Sequence, residues 1–324
     1  MKSFRLTISL LFVFLGISLS YWRYTIYAHD KSAMYFCTAA NDRYFKHLLN
    51  LIGSIYRVNF DETKEIAIFD LGLKAHQKKL LESIEKVTIY PVELTHADLL
   101  KPVIVNTQGK TVPGWYAWKP VILKQALDIF PYVLWLDAAT TVLKPLNHVF
   151  EHIKQNGYLL TDCGHNIKWM TTQYVIDNLQ LNTEENKWIL NDDVGGVAAG
   201  IIGLSQKYYA SLVLPMYELT KNLRYFVDDG TTPDGFGTGR YEQTILSIYA
   251  RLLGLDIVKK DFAGLNFHDG AIGNIQHLSV NNLNIPIHIT EVPQAVNNNT
   301  ILFCSRHYMP RFSEFKNHIR FKQG

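Results

Sequence analysis

The chain is short of cysteine, of net charge and of recognisable catalytic motifs. Its 324 residues include three cysteines, Cys37, Cys163 and Cys304. They are too few and too scattered for a disulfide framework or a zinc cluster. Small buried apolar side chains are the plainer reading, with one pair able to close in an oxidising compartment. Lysine and arginine number 32 against 29 acids, a net charge of +3 with no strong basic run. Nucleic-acid binding needs a concentrated positive surface and is set aside. No nucleophile elbow, P-loop or zinc-spaced histidine pair occurs, which removes the usual hydrolase, nucleoside-triphosphatase and metalloprotease readings. Nor is there a repeat, a low-complexity tract or a Pro/Ser-rich spacer between the two halves. What the chain does have is apolar mass. Its 48% apolar and 13% aromatic residues suffice for a packed core and exclude a disordered chain.

One long apolar run stands at the N-terminus. Leu6 to Trp22 follows Lys2 and Arg5 and is closed by Arg23 and an aromatic-rich exit. The length lies between a short membrane span and a long signal-peptide core, and the aromatic exit resembles an interfacial belt. The expectation is a signal anchor and short stem over residues 1–31, with a cleaved signal as the alternative, and one folded domain over 32–324. The early positive charges put the N-terminus in the cytoplasm and the rest of the chain across the membrane, in a Golgi-like lumen or a bacterial envelope. Cleavage would instead make the protein secreted.

Beyond the stem, short apolar strands alternate with amphipathic helices. "AMYFCTAAN" reads as a strand, "RYFKHLLNLIGSIYR" as a helix, "EIAIFDLG" as a strand, "KAHQKKLLESIE" as a helix and "KVTIYPVE" as a third strand. After the polar stretch 96–114 comes a helix opening near Trp115, then the strand leading to Asp137. The pattern predicts an α/β fold with a mostly parallel central sheet and helices on both faces. Such sheets hold ligands at the carboxyl ends of their strands. Thr38 to Asn41, Asp70 and Asp137 all fall at such ends.

Asp137, in "VLWLDAATTV", has the strongest position. A carboxylate at a sheet mouth suits a divalent cation on a diphosphate, or a sugar hydroxyl; a turn-capping acid explains it equally well. A second acid two places on would strengthen the metal reading, but Ala139 stands there. In "WYAWKP", Trp118 and its neighbours offer aromatic faces and Lys119 a cation for phosphate; an aromatic helix start packed on the sheet is the plain alternative. Glu242 and Gln243 open a helix after a glycine-rich loop, where a carboxylate serves as base or simply satisfies the helix dipole. "FCSRHY" offers Arg306 for phosphate and His307 for metal, although a lone histidine is more often structural.

Taken in order, "AMYFCTAANDRYF", "IAIFDLGL", "WYAWKP", "VLWLDAATTV", "GVAAGIIGL", "GRYEQTILSI" and "FCSRHY" resemble the nucleotide-diphospho-sugar glycosyltransferases of the GT-A (Rossmann-like) fold, family-8-like members above all. The likeness runs from about Ala33 to Tyr308. It implies transfer of a sugar from a nucleotide-diphosphate donor, a UDP-sugar by preference, to a glycan, protein or lipid acceptor. It assigns the donor to Thr38, Ala39, Asn41, Asp70, Trp118, Lys119, Gly200 and Arg306. Asp137 takes the place of the first acid of an Asp-x-Asp motif that binds manganese or magnesium, with His307 completing the metal shell. Glu242-Gln243 stands where the family has Asp-Gln, lining the sugar or acceptor pocket, so Asp137, Glu242 and Gln243 are the expected catalytic residues. Ala139 departs from the second acid. That departure leaves three states open: a metal-dependent enzyme with another ligand, a metal-independent one, or an inactive nucleotide-sugar- or glycan-binding protein on the same fold.

Overall fold

The computed structural model describes residues 33–258, 275–276, 292–293, 302–304, 315 and 317–323. The expected signal anchor over 1–31 lies outside them; among the described residues no helix is long and apolar enough to cross a membrane.

The strands up to Ser205 are β1 (Met34–Ala40), β2 (Thr63–Asp70), β3 (Val87–Pro91), β4 (Pro102–Ile104), β5 (Thr111–Pro113), β6 (Tyr132–Leu136), β7 (Thr140–Val142), β8 (Tyr158–Leu159), β9 (Asp162–Asn166), β10 (Gly195–Val197) and β11 (Ile201–Ser205). The main sheet has the order β3-β2-β1-β6-β11-β8. Its first four members are parallel, whereas β11 runs antiparallel to both β6 and β8. The expected α/β sheet, mostly parallel, is therefore present, with its direction reversed beyond β6. The polar stretch 96–114 also holds structure that its composition does not announce: β4 and β5 pair as a small antiparallel hairpin.

Five longer helices accompany the sheet: α1 (Phe45–Asn59), α2 (Ala75–Glu82), α3 (Trp118–Ile129), α4 (Asn147–Asn156) and α5 (Glu242–Leu252). They cover both faces because successive strand side chains point to opposite sides. Phe36, Leu134, Leu136 and Ile201 join one core with residues of α1 and α4. Tyr35, Cys37, Trp135 and Ile202 join the other with residues of α3 and α5. Each such side chain contributes roughly 1.5–3 kcal/mol on burial.

Helix α1 buries a polar stripe as well as an apolar one. Asn50 Nδ2 donates to Thr141 Oγ1 at 2.8 Å, Ser54 Oγ accepts from Val142 N at 3.0 Å, and Asn59 Oδ1 accepts from Leu146 N at 2.9 Å. These bonds fix the segment that follows Asp137. The same helix meets a distant part of the chain: a Cβ on Gly53 would stand 2.3 Å from the Phe315 carbonyl oxygen, so only glycine lets the two backbones approach. Nearby, Phe321 bridges Ile84, and Lys322 N donates to Ser83 O at 2.8 Å.

Candidate functional site

At the carboxyl ends of β1 and β6 lies an open cavity of about 90 Å³. Ala39, Ala40 and Asn41 line it from the end of β1, and Asp137, Ala138 and Ala139 from the end of β6. Tyr116, Trp118 and Lys119 close one wall, with Thr111, Val112 and Pro113 of the hairpin; Arg43 and Tyr44 close another.

The chemical centre is Lys119. Its side chain is 3% exposed and pairs with Asp137 Oδ1 at 3.2 Å and Glu242 Oε1 at 2.9 Å. The ammonium also donates to the Ala199 carbonyl at 2.9 Å, so each of its three protons has an acceptor. Asp137 Oδ1 takes a second donor, the Trp135 indole N–H, at 3.0 Å. Trp135 lies two residues before Asp137, on the same face of the strand. The Lys119 ammonium stands 5.2 Å from the Trp135 ring centroid, an attractive placement for a cation over an aromatic face. Because β11 is antiparallel to β6, its first residues meet the end of β6. Asp137 N donates to Gly200 O at 2.9 Å, and a Cβ on Gly200 would stand 3.6 Å from Asp137 Oδ2. The three sequence segments "WYAWKP", "VLWLDAATTV" and "GRYEQTILSI" thus meet in one buried ion cluster.

Both helix starts that supply this cluster leave strained backbone. Gly114, Trp115 and Tyr116 have φ of 44°, 50° and 61°, and Tyr241, just before Glu242, has φ 50°. Left-handed φ at a bulky residue costs about 1–3 kcal/mol unless the surroundings impose it. Here they do. Gly114 N donates to Lys101 O at 2.8 Å, Tyr241 Oη donates to Val105 O at 2.9 Å, and the Tyr116 and Tyr241 rings lie 5.7 Å apart.

Other sequence candidates are placed differently. Thr38 is buried, lines no part of the cavity, and its hydroxyl has no hydrogen-bond partner. Asp70 caps its own turn, accepting from Gly72 N at 2.8 Å and Leu73 N at 2.7 Å and pairing with Lys78 at 3.1 Å. Burial raises its pKa, but the two amides and the lysine outweigh that and hold it below the usual carboxylate range. Gln243 bonds to the Cys163 thiol, whose pKa burial pushes up against that bond. Arg306 and His307 lie outside the described residues. Three residues that the sequence reading passed over belong here: Arg43 and Tyr44 on the cavity wall and Trp135 bonded to Asp137. Trp135 had a signal, its i−2 spacing to an acid at a strand end.

A divalent cation, which the fold resemblance implies, wants about six oxygen ligands. Asp137 is followed by two alanines, and its Oδ1 already serves an ammonium and an indole. Among the described residues no group of three His, Cys, Asp or Glu is placed to hold a metal. The described donor set does not fit such an ion.

No family model matches the chain, and no curated protein does. Solved structures do. An active-site mutant of LgtC superposes with a TM-score of 0.50 at 13% identity, over 90% of this chain and 98% of that one. The galactosyltransferase LgtC in complex with donor and acceptor sugar analogues gives 0.49, with the same 13% identity and the same 90% and 98% coverage. Core-mannan synthase A from Aspergillus fumigatus, in its Mn/GDP form, gives 0.45 at 10% identity over 67% and 69%. At such identities likeness speaks for architecture alone, and the chain has the GT-A fold.

Proposed function

We propose that the protein transfers a sugar from a nucleotide-diphosphate donor, a UDP-sugar by preference, to a hydroxyl of a glycan, protein or lipid acceptor. The observation that carries this reading is the ion cluster of Lys119, Asp137 and Glu242 beside a cavity at the carboxyl ends of β1 and β6. In this reading the nucleoside sits against Ala39, Asn41 and the aromatic ring of Tyr44. Asp137, held by Lys119 and Trp135, accepts a hydroxyl of the donor, and Tyr116 offers a flat face to its sugar. Lys119 acts through the carboxylates it orients, because its own protons are already engaged. Fixed dipoles and charges of this kind stabilise an oxocarbenium-like transition state and its diphosphate leaving group without reorganising. Residues 1–31 would tether the domain to the non-cytoplasmic face of a membrane.

A second reading, a non-catalytic nucleotide-sugar-binding protein, is favoured by one observation: Ala139 lines the cavity where the family has its second acid. One assay separates the two. A thermal-shift screen of nucleotide sugars is expected to find a stabilising UDP-sugar, and the purified protein is expected to hydrolyse or transfer from it. Asp137→Asn should lower turnover by about two to three powers of ten. A shift without any turnover over a broad donor and acceptor panel would establish the binding protein instead, and no shift with any nucleotide would end both readings.

A further inference from the structure

We infer that Lys119, held between Asp137 and Glu242, occupies the place beside these acids that a divalent cation would take, so that the site binds its nucleotide diphosphate without metal. The inference rests on the reading of the cavity as a nucleotide-sugar site.

The position between two carboxylates that a bridging cation would seek is already filled. Lys119 Nζ lies 3.2 Å from Asp137 Oδ1 and 2.9 Å from Glu242 Oε1, with both acids largely shielded from water. A cation joining Asp137 would have to bind its carboxylate oxygens at about 2.0–2.6 Å, beside an ammonium buried at the same group. In so dry a place like charges repel strongly, and Ala139 adds no oxygen to offset the repulsion. The alternative arrangement, with Lys119 swung away, would leave a buried ammonium without its two anions. The charge count agrees. Of the charged residues that line the cavity, Lys119 and Arg43 are cations and Asp137 is the anion. Counting Glu242 behind Lys119, these charges of the described residues sum to zero, and from them a diphosphate meets no net repulsion.

The test uses the full chain and two independent readouts. Calorimetric affinity for UDP, measured with EDTA and then with manganese, is expected to agree within about twofold. Manganese itself, followed by its electron paramagnetic resonance signal, is expected to remain free in the presence of the wild-type protein. Ala139→Asp restores an oxygen ligand beside Asp137 and should draw manganese out of solution. Lys119→Met, which leaves the two acids without their cation, should do the same if it folds. Loss of UDP affinity by about tenfold or more in EDTA, regained with manganese, would overturn the inference. So would wild-type manganese binding that Asp137→Asn removes, or an Ala139→Asp protein, folded by circular dichroism, that leaves manganese free. Failure of UDP to bind under any condition would refute the nucleotide-sugar reading and this inference with it. Binding of UDP that needs manganese would refute the inference alone.

Discussion

At the scale of single residues, the site depends on positions that touch no ligand. Gly114 begins the left-handed run that delivers Tyr116, Trp118 and Lys119, and a Cβ there would stand 1.9 Å from the Leu99 carbonyl oxygen. Gly114→Ala is therefore expected to destabilise the fold by more than about 2 kcal/mol, from the clash and the φ of 44° together. Urea denaturation measures it. Nucleotide affinity should fall in the same protein, because the hairpin contacts that impose the strain at Tyr116 and Tyr241 are lost with it. Some of the residue-level chemistry was legible in the chain: Asp137, Lys119 and Glu242 were each singled out by residue type and place, and they meet within 3.2 Å. Their partnership was not legible, because an ion pair across 18 residues and a second across a larger gap leave no periodicity. Tyr44 escaped for a related reason. It sits on a short turn after Asn41, where neither strand nor helix spacing marks its direction.

At the scale of elements, α1 does more than cover the sheet. Its Ser54 hydroxyl donates to Leu51 O at 2.8 Å and receives Val142 N at 3.0 Å. Ser54→Ala leaves the amide of a fully buried valine unsatisfied, which costs about 1–3 kcal/mol. Denaturant titration should show that loss, and hydrogen exchange should show faster opening of residues 140–142. The helices and strands themselves were readable because alternation and helical spacing follow directly from which face is buried. The β4–β5 hairpin was not readable. It is two strands of three residues, too short for any pattern, and it is held by contacts to Gly114 and Tyr241 that only the folded chain assembles.

At the scale of the whole molecule, acid should loosen the structure through histidine. Burial lowers the pKa of His47, helped by the Arg43 charge, and burial lowers those of His152 and His318, the latter helped by Arg57. Both ring nitrogens of His47 are buried without a hydrogen-bond partner. The unfolded chain takes up protons at these groups near pH 6.5, before the native state does. Their contribution is then complete above about pH 6.5 and lost as the pH falls below it. Thermal unfolding followed between neutral and mildly acid pH should show this decline, and His47→Phe should make it shallower without removing it. The overall architecture was the most legible level of all. The reversal at β11 was the exception, since strand direction depends on connections through residues 160–200 that carry little regular spacing.

The seam between α1, α2 and residues 315 and 317–322 has a consequence for how the protein is made. Lys322 Nζ reaches Glu82 O across 240 residues, and Gly53 is covered by Phe315. On a ribosome adding about 5–20 residues per second, the outer flank of the first strands and helices stays uncovered for roughly ten to fifty seconds before its covering segment exists. During that interval the nascent chain offers apolar side chains and unpaired backbone to any neighbour. Chaperone demand and losses to aggregation during synthesis should therefore concentrate on the first quarter of the chain.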